Sequence, residues 1–176
     1  MSGQEPAFRA AAVARVAEEL ALAARTAPKG RGLDLLEVLV LTGADIAKLS
    51  AQMQAIGERE KHQTFLRDSE NIKGAQAILL IGTKQKVVGL RYCSFCGYPS
   101  CDEAERAGAV CALNSVDLGI AVGSAVSVAA DHRIDNRVMY TVGKAAVEMK
   151  LLGPEVAIAL GIPLSVSSKN PFFDRK

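Results

Sequence analysis

Cys93, Cys96, Cys101 and Cys111 are the only cysteines in the chain and fall within nineteen residues, spaced C-x2-C-x4-C-x9-C. For four sulfurs to serve one centre, the segment RYCSFCGYPSCDEAERAGAVC has to double back on itself, and few folds can carry such a stretch. Thiolates crowd together in a reducing compartment mainly because a metal neutralises their mutual repulsion and sets their geometry. The segment contains the residues needed to bend. Gly97 gives the backbone freedom to wrap around an ion, and Gly97-Tyr98-Pro99 is turn chemistry. Ser100 with Glu103 fits a capping box, so a helix is expected to open at Cys101. Amides of that loop and helix start suit anionic sulfur.

Cys111 tests the idea. One straight helix from Cys101 to Cys111 would set their α-carbons roughly 15 Å apart at ~1.5 Å per residue, too far for a single centre. The helix is therefore expected to break at Gly108. Asn114 with Asp117 three residues on reads as a new helix start, which leaves Cys111 in the preceding loop.

Three readings of the cluster stand. An iron–sulfur cluster, of the [4Fe–4S] type, suits a short-spaced cysteine set. Zinc is the alternative, although structural zinc sites usually pair two short knuckles and this segment has one. Buried thiols without metal are the third. The spacing differs from the bacterial C-x2-C-x2-C-x3-C run, so the chain is not an ordinary small ferredoxin.

The remaining chain is expected to supply a scaffold. Its 176 residues fit one domain, 1–176, with the cysteine segment 93–111 embedded in it. Aromatic residues are only 5% and Trp is absent, so the core has to be Ala, Val, Leu and Ile. A formal net charge of +2 gives no field for nucleic acid or an anionic membrane. The start MSGQEPAFRAA lacks the basic-then-apolar pattern of a secretory signal. The apolar run Leu118 to Ala130, bounded by Asp117 and Asp131, is short for a bilayer and reads as a buried helix. A cytoplasmic protein with reduced thiols is the expectation.

Apolar positions Val13, Val16, Ala17, Leu20 and Ala24 predict a helix from about Ala7 to Arg25, ended by Pro28 and Gly30. Leu35 to Leu41 reads as a buried strand. Ala44 to Ile56 reads as a helix, and Gly57 to Ser69 as a polar surface stretch. Strands are expected at Ala77 to Ile81, at Val87 to Tyr92, and at Ile162 to Val166, where Pro163 argues for a sheet edge. Helices are expected at Val116 to Ala130, through Val142 to Leu152, and from Pro154 to Leu160. Strands do not alternate strictly with helices, which points to an α+β class: a small central sheet packed with helices.

C-S-F-C-G-Y-P-S-C resembles the Cys-x2-Cys-Gly-x3-Cys start of four-iron-four-sulfur domains in electron-transport and acetyl-CoA-pathway subunits, where the fourth Cys usually lies further on than Cys111. Over most of its length the chain is similar to the uncharacterised family described as "protein containing a ferredoxin domain". The segments carrying this are Thr26 to Lys29, Cys93 to Cys111, Asp117 to Ala121, Ile162 to Ser165 and Phe173-Asp174-Arg175. That resemblance implies a cluster at the four cysteines. The order of helix, Ala-Pro turn, strand, long central helix and final short helix also resembles the flavin-dependent nitroreductases. There the turn after the first helix contacts the flavin phosphate, and Arg25, Thr26, Lys29 and Arg31 stand at the matching place. The resemblance thus implies FMN as a second cofactor, although the Ser and Asn often found at that turn are missing.

Other polar residues read more plainly. Asp131 to Arg137 is either a pocket lining, with His132 as proton donor and Arg133 or Arg137 binding an anion, or a helix-end ion-pair cluster; the latter is the commoner case. His62 and Lys144 read as solvated. Gly119 and Gly123 read as sites of close helix packing. Tyr92, Phe95 and Tyr98 either shield the cysteines or anchor the core.

The sequence thus favours an iron–sulfur redox protein serving electron transfer or part of an oxidoreductase, with a redox partner protein or a small-molecule electron acceptor. A zinc-stabilised non-catalytic module, or a flavin-dependent reductase with the cluster as relay, are the alternatives. Whether the chain is itself an enzyme is left open. The Ala- and Gly-rich central helix suits either packing within one chain or a homo-oligomer.

Overall fold

A computed structural model describes residues 4–173. Four antiparallel strands form one sheet in the order β1-β2-β4-β3: β1 Leu36–Thr42, β2 Ala77–Lys84, β3 Asp135–Asn136 and β4 Val156–Ser165. Helices cover both faces. On one side lie α1, Glu5–Thr26, and α5, Ala112–Asp131; on the other lie α2, Ala44–Arg59, α3, Gln63–Ile72, and α6, Tyr140–Glu148. The six-residue α4, Cys101–Arg106, belongs to the cysteine segment. This is the α+β arrangement the sequence predicts.

The two-residue alternation of a strand divides the side chains of β2 between the layers. Ala77, Leu79 and Ile81 pack toward α1 and α5, while Ile78 and Leu80 pack toward α2 and α6. Both faces are covered, so the run Ala77 to Ile81 is apolar throughout, as its sequence suggests. In α1 the stripe Val13, Ala17, Leu20 and Ala24 is buried as predicted. Lys29 Nζ folds back on the Ala24 carbonyl at 3.0 Å and on that of Arg25, capping the helix end. Helix α5 is long and apolar enough to cross a membrane by length and composition. Here its Leu118, Ala121, Ala125 and Ala129 face is buried in the core against α1 and the sheet.

Four expectations need correction. Gly57 to Ser69 is not a uniformly polar surface, because α3 buries Phe65, Asp68, Ser69 and Ile72 along one stripe. Val87 to Tyr92 is not a strand: it pairs with no neighbour, and Gly89 (φ 74°) and Tyr92 (φ 62°) turn it. Pro154 to Leu160 is not a helix, since Val156 onward pairs with β2, and Ile158, Leu160, Ile162 and Leu164 alternate onto the α1–α5 side. Pro163 does not mark an edge. It lies in β4 beyond the short pairing of Asn136 with Leu164 and before the bridge of Met139 to Gly161, where no ladder donor is required of it. Of the carboxy-terminal segment Phe173-Asp174-Arg175, only Phe173 lies within the described residues.

Among the described residues, Asp68 is the most deeply buried charged group. Asp68, 2% exposed, accepts hydrogen bonds from Arg67 Nε (2.9 Å) and Nη2 (2.8 Å) and from Thr141 Oγ1 (2.7 Å), with Arg137 Nη1 at 3.6 Å. It joins α3 to α6. Asp68→Asn removes the charge but keeps the shape, and should cost about 3 kcal/mol in urea denaturation. This is the low end for a broken buried pair, because both arginines still reach water. An unchanged midpoint would show that the pair adds nothing to stability.

Candidate metal centre

The cysteine segment leaves β2 at Lys84 and returns at α5, and one backbone and one side-chain hydrogen bond pin its base. Gln85 N donates to the Glu155 carbonyl at 2.8 Å, and Asn114 Nδ2 donates to the Lys86 carbonyl. Between these points the chain turns repeatedly through the left-handed region, at Gly89, Tyr92, Ser94 (φ 47°) and Gly97 (φ 83°). Gly97 N closes a turn on the Ser94 carbonyl at 2.9 Å. Ser100 then caps α4: Glu103 N donates to Ser100 Oγ at 3.2 Å, and Ser100 Oγ donates to Glu103 Oε1 at 3.3 Å. The expected break falls at Gly108, whose φ is 65°. Cys111 is the N-cap of α5, one position before the helix begins, and is therefore free to turn back.

As a result Cys93, Cys96, Cys101 and Cys111 all line one cavity of about 280 Å3. All four are free thiols; Cys111 is buried and the other three are partly exposed. Cys101 Sγ donates to the Leu90 carbonyl at 3.8 Å. No three metal-type side chains among the described residues stand close enough to grip an ion as they lie, so binding requires the sulfurs to draw together across the cavity. The donor set fits a thiophilic centre: four sulfurs and a lining otherwise largely apolar, including Val88, Leu90, Ala104 and Leu113. Tyr92 and Phe95 line the cavity yet are largely exposed to solvent, so neither is a core anchor; Tyr98 is half-buried.

The basic turn has other engagements. Arg25 Nη1 donates to Asp34 Oδ2 at 2.7 Å and to the Leu36 carbonyl at 2.9 Å. Burial works to raise the Asp34 carboxyl, but the Arg25 hydrogen bond and the Leu36 amide outweigh it and hold Asp34 below its ordinary pKa. Thr26 Oγ1 donates to the Ala23 carbonyl at 3.3 Å, and Lys29 caps α1. Arg31 Nη1 donates to the carbonyls of Val88 at 3.0 Å and Gly89 at 3.1 Å, both on the cysteine cavity. The groups the turn would offer to a phosphate are thus committed to the protein itself.

The other polar candidates separate. His132 Nε2 lies 2.9 Å from Glu19, an ion pair when the imidazole is protonated, and His132 also lines a shallow pocket with Phe8 and Val13. Arg137 Nη1 instead reaches the Phe172 carbonyl at 3.0 Å, and its guanidinium lies over the Phe173 ring. His62 and Lys144, read as separate solvated residues, meet at one cleft of about 440 Å3 with Phe65 and Tyr140. Its rim carries the pair of Arg59 Nη1 with Glu148 at 2.9 Å, and this hydrogen bond holds the Glu148 carboxyl below its ordinary pKa. Gly119 and Gly123 do not pack against anything: a Cβ at either would meet open space, and Val116 and Ile120 beside them are exposed.

The backbone has the fold of the flavin nitroreductases. It is similar to the nitroreductase CinD from Lactococcus lactis in complex with nicotinic acid, at 14% identity over 88% of this chain and 78% of that chain, with TM-score 0.63. It is similar also to a nitroreductase with bound FMN from Desulfitobacterium hafniense, at 18% identity, the same coverage of both chains and TM-score 0.62. Sequence identifies a narrower kinship. An uncharacterized protein of Archaeoglobus fulgidus is 41% identical over 165 residues, spanning 89% of this chain and 88% of the relative. A family model described as "Uncharacterized protein containing a ferredoxin domain" matches residues 107–175. The chain belongs to that family of ferredoxin-domain proteins. The matched region takes in Cys111 and leaves out Cys93, Cys96 and Cys101, so their assignment rests on the shared cavity.

Proposed function

We propose that this protein is a cytoplasmic iron–sulfur redox protein that holds one [4Fe–4S] cluster through Cys93, Cys96, Cys101 and Cys111. The observation carrying this reading is that four free thiols, the only cysteines in the chain, line a single cavity. A bound cluster would supply one-electron transfer. The chain's own part is to present four sulfurs, to place Cys111 at the amino-terminal end of a 20-residue helix where negative charge is favoured, and to surround them with apolar side chains. The partly exposed cysteines and the exposed Tyr92 and Phe95 leave one side open to a partner protein or a small-molecule electron acceptor. The open, apolar α5 surface at Val116 and Ile120 supports a second copy of the chain as a further partner.

A flavin is the second reading, favoured by the fold shared with an FMN-bound nitroreductase. For the turn to take the FMN phosphate, Arg25 and Lys29 have to release Asp34 and the end of α1. Protein isolated anaerobically, without flavin stripping, tests both readings at once. Iron and acid-labile sulfide in similar amounts are expected. Zinc without sulfide would leave a metal-stabilised module in place of a redox protein. Flavin fluorescence in the extract would add the second cofactor.

A further inference from the structure

We propose that Arg31 is a positioning residue of the thiol cavity, a permanent cation that holds its Val88–Gly89 wall; this rests on the metal-binding reading above. Arg31 sits in the short 3-10 turn Gly30–Gly32 with φ 57°, a backbone angle that non-glycine residues rarely adopt. The turn is anchored from behind. Gly30 N donates to both carboxylate oxygens of Asp117, at 3.0 and 2.9 Å, and Asp117 is buried on α5, the helix that Cys111 caps. From this anchored turn one guanidinium nitrogen gathers two successive carbonyls, those of Val88 and Gly89, 57 and 58 residues further along the chain. The next residue, Leu90, supplies the carbonyl that accepts from the Cys101 thiol.

The far side of the contact is shaped to receive the guanidinium. Gly89 has φ 74°, and a Cβ there would lie 3.3 Å from Arg31 Nη1. A guanidinium does not lose its proton, so a fixed positive charge borders a cavity designed to collect thiolates. Two effects follow from one side chain. The wall that fixes the Cys101 side of the cavity stays in register, and the anionic state of a loaded site is favoured.

The test uses the reduced, metal-free full chain titrated with Co2+ alone, read by thiolate-to-cobalt charge-transfer absorption. Arg31→Asn, whose side chain tolerates the left-handed backbone, should bind Co2+ about 10- to 100-fold more weakly, the range seen when a supporting residue of a metal site is lost. Arg31→Lys, which keeps the charge but not the planar guanidinium, should recover part of the loss. In iron-loaded protein the reduction midpoint should move to lower potential in Arg31→Asn and back toward wild type in Arg31→Lys, because losing a positive charge disfavours the more negative reduced state. Should Arg31→Asn not fold, Arg31→Gly suits the φ of 57° without strain, removes the same contact and should weaken Co2+ binding likewise. Wild-type affinity and midpoint in a folded variant overturn the assignment of Arg31 alone. A wild-type protein that shows no thiolate absorption with Co2+ and carries neither iron nor sulfide after anaerobic isolation overturns the metal-binding reading, and the assignment with it.

Discussion

Gly143→Ala should destabilise the protein by about 4 kcal/mol or more, lowering its melting temperature by roughly 10 °C or more at the ~2–4 °C per kcal/mol usual for this size. Gly143 lies in α6 against β4, and a Cβ there would stand 1.8 Å from the Ala159 carbonyl oxygen, 2.2 Å from its carbon and 2.7 Å from Leu160 N. All three are backbone atoms, so no rotamer change relieves the clash. The helix would have to lift off the strand and uncover Val142, Ala145 and Ala146, which are fully buried. Ordinary overpacking costs about 1–3 kcal/mol, because side chains move aside; here the obstruction is the sheet itself. Gly119→Ala is the contrasting case. Nothing stands within 4 Å of its Cβ position, and removing a helix-interior glycine should add up to about 1 kcal/mol. Thermal unfolding followed by circular dichroism gives both values, and equal melting temperatures for the two variants would refute the packing argument.

Cys111→Ser should abolish stable metal binding, on the order of 100-fold or more, beyond the effect of losing a supporting residue. Cys111 is the sole cysteine outside the stretch from Cys93 to Cys101, and the break at Gly108 and the N-cap position return it to the cavity. Serine keeps the size and replaces a soft donor by a hard, protonated one. Iron and sulfide per chain after anaerobic purification measure the result. A Cys111→Ser protein with full iron and sulfide would leave Cys93, Cys96 and Cys101 as the ligand set and require a fourth from elsewhere. Since the matched family region includes Cys111 but not the others, this variant also asks whether the family's ferredoxin character depends on the residue within that region.

Much of this was legible in the sequence because it is local. The α1 stripe follows from its spacing, and the strand runs Leu35 to Leu41 and Ala77 to Ile81 follow from their apolar composition, although the first buries only Leu36 and Leu41. The geometry of Cys101 to Cys111 follows from helix rise and one glycine. What was missed depends on distant partners. Helix α3 was hidden because two of its four buried positions are Asp68 and Ser69, which read as surface until Thr141 and Ser50 are seen to bond them. Residues 154–160 suggested a helix because Pro154 suits a first turn and Gly161 a stop; the small residues at 159 and 161 instead leave room for α6 on the sheet. Val87 to Tyr92 has strand-like composition but no neighbouring strand to pair with. Arg31 was placed correctly on a basic turn, yet its partners lie 57 and 58 positions away, and no local pattern announces them.

The contact from Asn114 to the Lys86 carbonyl joins two points 28 positions apart. Everything between them is therefore a cul-de-sac of the chain, entered and left through the same doorway. Disturbance inside such a bay, whether from oxidation, chelation or partner docking, has few routes to the strands beneath, and the tie from Arg31 to Val88 and Gly89 is one of them.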